Sequence, residues 1–169
     1  MNLDPGAELV DVIDAEGSTI AVVTRREMRA RRLPHRSVYL LVFNSRGEVF
    51  IHLRTATKDV YPSHWDVTVG GVLSAGESFD EGALREGQEE LGVALEVQPL
   101  FPFRYEDERS AVLGMVYRAV HDGPFALQAE EIVRGEFVSV EELELRVQRD
   151  PFCPDGLQVW QQARGEDEG

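Results

Sequence analysis

Residues 71–93 constrain this chain more than any other segment, because they space acidic side chains in a way that helix stability does not favour. The segment carries Glu86, Glu89 and Glu90, and a glycine-rich loop with Glu77 precedes them. At about 100° per residue, the three later glutamates fall within one arc of a helix, where like charges repel. A hard divalent cation such as Mg²⁺ prefers oxygen ligands and would turn that repulsion into chelation. The segment therefore predicts a metal site on one face of a helix.

The spacing of the fixed residues in this segment resembles the signature of the Nudix hydrolases. Chance agreement at this many fixed positions is on the order of one in a hundred million per starting position. Gly87 is the one departure, because the family usually has an apolar side chain there, and we expect it to face the core. The matching residues are Gly71, Glu77, Arg85, Glu86, Glu89, Glu90 and Gly92, with Val93 at the apolar position that follows.

The resemblance implies a role for each matched residue. Glu89 and Glu90 would be the strongest ligands of one or more Mg²⁺ ions, for which Mn²⁺ can substitute, and Glu86 would be close behind. The carbonyl of Gly71 often joins them in the family. Arg85 would brace the carboxylates by a charge-assisted hydrogen bond.

Three further positions support or complete this site. Glu77 lies at the corner between loop and helix, where the family gives it a stabilising role, and Gly92 is expected to end the helix. Family members draw the general base from the motif helix or from a later loop. Glu131 is our candidate from a later loop, and a solvated carboxylate with no catalytic role is the alternative.

Outside the motif, the segments 33–36, 41–44 and 61–66 carry a second resemblance, together with Arg54 and Lys58. They resemble isopentenyl-diphosphate isomerase and its hydrolase relatives, and the similarity spans about residues 8 to 93. Residues matching Arg54 and Lys58 grip the substrate diphosphate in the isomerases, so we expect the same role here, with a solvated surface position as the alternative. His35 matches a metal-binding histidine of the isomerase. The isomerase activity itself is not expected, because Gly70 stands at the place of its catalytic cysteine and Val72 at that of a second metal-binding histidine.

Composition limits the partners of this chain. It has 169 residues and a net charge of −14, with a pI near 4.6, so its surface repels nucleic-acid polymers and anionic membranes. A small phosphorylated metabolite, and a nucleotide in particular, remains possible where a metal and local cations reverse the potential. Cys153 is alone and has no partner for an internal disulfide, which favours a reducing cytoplasm, and we expect its side chain to be inert. The sequence leaves the oligomeric state open.

Two groups of basic residues outside the motif receive structural interpretations. The arginines between residues 25 and 36 could contact an anionic substrate or a partner, but a solvated helix that pairs with the acids of the protein itself is favoured. His52 alternates with Phe50 and Arg54, which favours a surface or half-buried structural histidine.

The order of predicted elements favours the α+β class, in one domain over residues 1–169. The resemblance implies a Nudix fold, an α/β/α sandwich around a mixed sheet, here with an N-terminal hairpin extension. Ser78 with Glu81, and Ser139 with Glu142, have the capping-box pattern of helix starts. Strands are expected at 8–14, 18–23, 37–43, 48–54, 67–69, 93–96, 101–106, 111–120 and 136–140, with helices at 24–32, 78–91 and 139–148 and after residue 154.

The combined interpretation is a Mg²⁺-dependent hydrolase that cleaves a phosphoanhydride bond. Its expected substrate is a nucleoside diphosphate or a derivative, either a nucleoside triphosphate or a nucleoside diphosphate sugar. Two alternatives stay open: a Nudix module that senses a nucleotide without cleaving it, and, with less support, the isomerase.

Overall fold

The computed structural model describes residues 4–168, along which groups of strands are separated by helices. A 3₁₀ turn at Pro5–Ala7 precedes them. The strands are β1 Leu9–Ile13, β2 Thr19–Thr24, β3 His35–Phe43, β4 Val49–Arg54, β5 Trp65–Asp66, β6 Val69–Val72, β7 Gln98–Glu106, β8 Ala111–Val120 and β9 Ile132–Val138. The helices are α1 Arg25–Ala30, α2 Phe79–Leu91, α3 Val140–Arg149 and α4 Pro154–Glu168.

Within residues 4–168, seven strands form one mixed sheet in the order β5-β4-β3-β8-β7, to which β6 adds on β3 and β9 on β4. Strands β3 and β8 run parallel, and the pairs β3–β6, β4–β9 and β7–β8 are antiparallel. Strands β1 and β2 pair with each other as an antiparallel hairpin, as predicted for the N-terminal extension.

Helices cover both faces of the mixed sheet, which confirms the predicted α/β/α sandwich. Successive residues of β3 point to opposite faces. Leu40 packs in the core beneath α2, together with Ala83 and Leu91 of that helix. Leu41, its neighbour, packs in the core beneath α3 and α4 with Leu143. The sheet is therefore buried from both sides.

The predicted hairpin of β3 and β4 opens immediately after its turn. Only Phe43 and Val49 pair across it. Farther from the turn, β3 pairs with β6 over residues 37–40, and β4 pairs with β5 over residues 52–53. Residues 67 and 68 connect β5 to β6 between the diverging strands β3 and β4. The cleft of the candidate site lies at this opening.

The local signals around α2 behave as predicted. Ser78 and Glu81 form a reciprocal capping box at its start, and Gly92 ends it in the left-handed conformation, with φ 71°. Gly87 is buried, and a Cβ there would lie 2.8 Å from Cδ1 of Leu95. The prediction that Gly87 faces the core is confirmed, and Leu95 fills the space that an apolar side chain would take.

Other boundaries differ from the predictions. No strand forms at 93–96, because Leu95 turns inward against Gly87. Strand β9 begins at Ile132, four residues earlier than predicted, because β4 offers a partner along its whole length. Helix α1 ends at Ala30, where the prediction extended it to residue 32.

Candidate functional site

The glutamates of α2, which we call the acidic wall (Glu86, Glu89 and Glu90), stand next to a cleft and do not themselves line it. Glu86 and Glu90 point inward and are buried, whereas the side chain of Glu89 is 49% exposed. Gly70 and Gly71 of β6 line the cleft directly in front of them. The amide of Gly70 donates to Oε2 of Glu90 at 3.1 Å.

Arg85 bridges the carboxylates of this region. Its Nε and Nη2 donate to the two carboxylate oxygens of Glu77 at 2.7 and 2.8 Å. Its Nη1 donates to Glu86 at 3.0 Å and to Glu89 at 3.1 Å. Glu77 is also fixed by the amide of Ser74, which donates to it at 3.1 Å. Arg85 and Glu77 thus hold the loop before α2 against the helix.

Burial makes the inner carboxylates unusual acids. It raises the pKa of Glu86 to about 7; Arg85 opposes this shift and the negative charge of Glu89 adds to it. Burial and then the charge of Glu86 raise the pKa of Glu90 well above its ordinary value. Two neighbouring buried carboxyl groups are expensive to ionise together, and a bound cation would offset that cost.

The two glycines of β6 leave room for this arrangement. A Cβ at Gly71 would lie 2.9 Å from Oε1 of Glu86. A Cβ at Gly70 would lie 2.0 Å from the backbone oxygen of Val38, which no side chain can tolerate. The backbone of β6 can therefore approach both β3 and the acidic wall only because both residues are glycine.

Four cationic side chains line the cleft, and we call them the cationic wall: Arg25, Arg29, Arg54 and Lys58. The cleft has a volume of about 660 Å³, including its opening to solvent. Arg54 donates to the backbone oxygens of Val60, at 2.8 Å, and Tyr61, at 3.3 Å. The half-buried position of Arg54 and the 12% exposure of the Lys58 side chain argue against the solvated-surface alternative.

Lys58 forms an ion pair with Glu131, the candidate general base. The negative charge of Glu131 also contributes to the raised pKa of Glu90, so the two carboxylates lie within electrostatic reach of each other. The amide of Thr55 donates to the backbone oxygen of Glu131 at 3.2 Å and anchors this loop to the end of β4. The fold thus brings Lys58, Glu131 and the acidic wall together from three separate segments.

Arg25 and Arg29 line the cleft, although contact with an anionic substrate was the less favoured interpretation of their segment. Both side chains pair with Asp59, at 3.3 and 3.0 Å, and their charges outweigh the effect of burial and hold the pKa of Asp59 well below its ordinary value. The expectation that these arginines pair with the protein's own acids was correct, but that of a solvated position was wrong for Arg25 and Arg29, whose side chains are 18% and 21% exposed. No pattern in the sequence shows which residues of α1 face the cleft, because tertiary packing alone decides it.

The remaining arginines of that segment lie away from the cleft lining. They also pair with acids: Arg26 with Asp4, Arg31 with Glu27, Arg32 with Glu106, and Arg36 with Asp11.

The inner end of the cleft is polar. We call four of its residues the acceptor floor: His35, His52, Asp66 and Asp155. His52 is 3% exposed, so the expectation of a surface or half-buried histidine was wrong; strand β5 and Thr68 cover it. Cys153 is also buried, and burial raises the pKa of its thiol, which stays protonated at neutral pH.

No three His, Cys, Asp or Glu side chains already converge as a metal centre in the part of the chain whose side chains are described. Glu86 and Glu89 are instead engaged by Arg85. In the described part of the chain, no helix is both long and apolar enough to cross a membrane.

Comparisons with known proteins agree with the site. The NUDIX domain pattern matches residues 33–156. A Nudix hydrolase of Yersinia pestis is 40% identical over 153 residues, which cover 90% of this chain and 83% of that protein. The Nudix hydrolase YfcD of Escherichia coli (strain K12) is 39% identical over 153 residues, covering 90% and 84% of the two chains.

Solved structures share the fold. The crystal structure of DR0079 from Deinococcus radiodurans superposes with a TM-score of 0.81 at 26% identity, over 92% of this chain and 98% of that one. The NUDIX domain of Shewanella oneidensis NrtR, solved with ADP ribose, has a TM-score of 0.63 at 19% identity, over 85% and 99% of the chains. The chain therefore belongs to the Nudix hydrolases, enzymes that cleave pyrophosphate bonds.

Proposed function

We propose that this protein is a Mg²⁺-dependent hydrolase of a phosphoanhydride bond in a nucleoside diphosphate or one of its derivatives, with residues 1–169 acting as one catalytic domain. The observation that carries the proposal is the placement of the acidic wall, next to Gly70 and Gly71, beside a cleft that the cationic wall lines. The positive charge of Lys58 acts on Glu90, and that of Arg25 acts on Glu86, so the two walls are within electrostatic reach.

The carboxylates of the acidic wall fit a hard divalent cation. Glu86 and Glu90 are buried groups whose ionised forms need a positive partner, and oxygen ligands suit Mg²⁺ and Mn²⁺. Glu86, Glu89, Glu90 and the carbonyl of Gly71 would hold the cation. When bound, the cation would neutralise negative charge on the phosphate oxygens and activate water.

The cationic wall supplies the complementary half of the phosphate site. A diphosphate brings negative charge on both phosphoryl groups, and the metal alone leaves part of it uncompensated. Lys58 and Arg54 would hold these oxygens from the side opposite α2, and Arg25 and Arg29 add positive charge at the same cleft. Arg54 is fixed by its two backbone contacts, so it presents its charge without much loss of side-chain freedom.

Glu131 would act as the general base. Its ion pair with Lys58 keeps the carboxylate next to the phosphate site, and an incoming phosphate competes for the same ammonium group. A carboxylate released in this way is free to accept a proton from the attacking water. Arg85 would hold Glu86 and Glu89 in position and would not contact the reacting atoms.

A nucleotide substrate is consistent with the fold, since the NrtR domain accommodates ADP ribose. The isomerase alternative is disfavoured by the backbone at Gly70. The isomerase requires a thiol at this position, and a Cβ here would meet the oxygen of Val38 at 2.0 Å.

A screen of nucleotides and nucleotide sugars with Mg²⁺ or Mn²⁺ tests the proposal, with inorganic phosphate, pyrophosphate, sugar phosphate and nucleoside monophosphate as the measured products. We expect at least one nucleoside diphosphate compound to be cleaved with either cation and none after treatment with EDTA. Tight nucleotide binding without any release would establish the sensing module in place of the hydrolase. An allylic product from isopentenyl diphosphate would establish the isomerase.

A further inference from the structure

The acceptor floor contains two buried imidazole nitrogens without a hydrogen-bond partner. Nδ1 of His35 lies 2.9 Å from the backbone oxygen of Leu33, and Nε2 of His52 lies 2.8 Å from that of Thr68. A carbonyl oxygen only accepts, so each of these nitrogens carries the proton. The other nitrogen of each ring, Nε2 of His35 and Nδ1 of His52, then exposes a lone pair, and no described residue satisfies either one.

Both histidines are neutral at physiological pH, which fixes them as acceptors. Their exposed fractions are 1% and 3%, and burial lowers the pKa of each to about 4. A buried acceptor without a partner is unfavourable, and native proteins rarely keep two in one place without a use. Because both rings line the cleft, the missing partner is expected to come from what the cleft binds.

The carboxylates of the floor add acceptors of the same kind. Oδ1 of Asp66 accepts from the amide and the hydroxyl of Thr68, at 2.9 and 3.0 Å. Asp155 accepts from the Tyr39 hydroxyl at 3.1 Å and from the amide of Gly156 at 2.9 Å. A carboxylate has about four acceptor sites, so both retain capacity. The floor therefore offers further lone pairs to a ligand.

Charge indicates which kind of group would fit. A phosphate is repelled by the carboxylates of the floor, and a cationic group is repelled by Arg25, Arg29 and Arg54 in the same cleft. These arginines also disfavour a metal ion at His35, whose nearest charges include Arg25 and Arg29. What remains is a neutral group that carries several hydrogen-bond donors.

We propose that the acceptor floor binds the end of the substrate remote from the phosphates, through hydroxyl or amino groups that donate to His35 and His52. This inference rests on the proposed function and gives the substrate a direction: its phosphates lie between the two walls and its donor-bearing end lies on the floor. Sugar hydroxyls and the exocyclic amine of a base share this chemistry.

Equilibrium binding in the absence of divalent cations tests the floor independently of hydrolysis. Calorimetry would compare methyl diphosphate, which has the phosphates and no such donors, with ADP, CDP, GDP, UDP and UDP-glucose. The wild-type protein should bind at least one of the five more tightly than methyl diphosphate. If none gains affinity over methyl diphosphate, the proposal is overturned.

Two substitutions remove the lone pairs and keep the structural bonds. His35→Asn retains a donor for the oxygen of Leu33, and His52→Gln retains one for that of Thr68. Each substitution should reduce the affinity of the nucleotide relative to that of methyl diphosphate about fivefold to tenfold, which is the usual contribution of one hydrogen bond. The affinity for methyl diphosphate itself should be unchanged. His64→Asn is the matched control, because Nδ1 of His64 makes the same kind of bond, 2.9 Å to the oxygen of Pro62, outside the cleft lining.

The results show which part of the substrate donates the hydrogen bonds and whether the proposal fails. Loss of the gain with 2′-deoxy or 3′-deoxy analogues assigns the donors to the sugar, and loss with a nucleotide lacking the exocyclic amine assigns them to the base. An undiminished gain in both folded histidine variants overturns the proposal and leaves water as the partner of the unpaired nitrogens. Binding that follows the prediction without hydrolysis in Mg²⁺ would retain the floor and reject the proposed hydrolase.

Discussion

The acidic wall comes from one continuous stretch of chain, whereas the cationic wall is assembled from helix α1, the end of strand β4 and the loop after it. In the acidic wall the spacing along one helix sets the geometry, so each carboxylate has its own place. In the cationic wall four side chains converge through tertiary packing on the same cleft. The contrast indicates that chemistry concentrated in one helix is sensitive to a single change, and that charge shared among several segments tolerates one.

The largest effect is expected in the acidic wall. Glu89→Gln and Glu90→Gln each remove a charged ligand at nearly constant volume, and each should lower kcat at least ~10²-fold because metal and water are coupled in one site. Folding should be unharmed, since like-charge repulsion is relieved. Steady-state kinetics with the exposed Glu96→Gln as control measures this. Wild-type turnover in both variants would show that these carboxylates are not the catalytic centre.

A smaller effect is expected in the cationic wall. Lys58→Met removes one of four charges and should raise KM about tenfold, as one charge-assisted contact is lost. Arg118→Met is the control, because Arg118 packs over Phe43 away from the cleft. Lys58 is also the only lysine of the chain, so labelling of its peptide by an amine-specific reagent reports its protection by substrate. An unchanged KM would remove Lys58 from the phosphate site.

The pH dependence of stability tests the buried carboxylates of the acidic wall. Because burial raises the pKa of Glu86 to about 7 and that of Glu90 well above its ordinary value, their stabilising effect is complete below about pH 4.5 and is lost as pH rises through the folded-state values. His35 and His52 have lowered pKa values and oppose this trend only below about pH 6.5. Above about pH 6.5, we expect the free energy of unfolding in the absence of divalent cations to fall as the pH rises.

Thermal unfolding between pH 6.5 and pH 8.5 measures that fall, which should be on the order of 5 °C. Mg²⁺ should reduce it, and Glu90→Gln should flatten the curve. A profile that is the same with and without Mg²⁺ would argue against cation binding at these carboxylates.

The smallest effect is expected at the one departure from the motif. Gly87→Ala places a Cβ 2.8 Å from the flexible end of Leu95, while alanine improves helix propensity by about 1 kcal/mol, so the free energy of unfolding should change by less than ~1 kcal/mol. Gly70→Ala is the contrast, because its Cβ would meet a backbone oxygen and no side chain can move aside. Equal losses in chemical denaturation would contradict this account.

The sequence predicted what local rules decide. The capping box at Ser78, the end of α2 at Gly92 and the apolar strands of the sandwich all depend on residues close together in the chain. The Nudix membership followed from the same spacing. These features need no knowledge of the remaining fold.

Features that depend on distant contacts could not be read in this way. The early divergence of β3 from β4 requires β5 and β6 to compete for their edges. Asp155 reaches Tyr39 across 116 residues of sequence. The burial of His52 and the position of Arg29 likewise depend on which elements cover them, and hydrophobic periodicity carries no information about that.

The activity of the protein as a function of free Mg²⁺ tests the central claim most directly, with release of the phosphorylated products measured for the wild type, Glu90→Gln and Glu96→Gln. We predict no wild-type activity in EDTA and saturation with Mg²⁺. Glu90→Gln should need at least ~10-fold more Mg²⁺ for half of its reduced maximum, as expected for loss of one charged ligand. Glu96→Gln should follow the wild type. Activity that survives exhaustive EDTA treatment, or an unchanged Mg²⁺ requirement in Glu90→Gln, would contradict the assignment of the acidic wall.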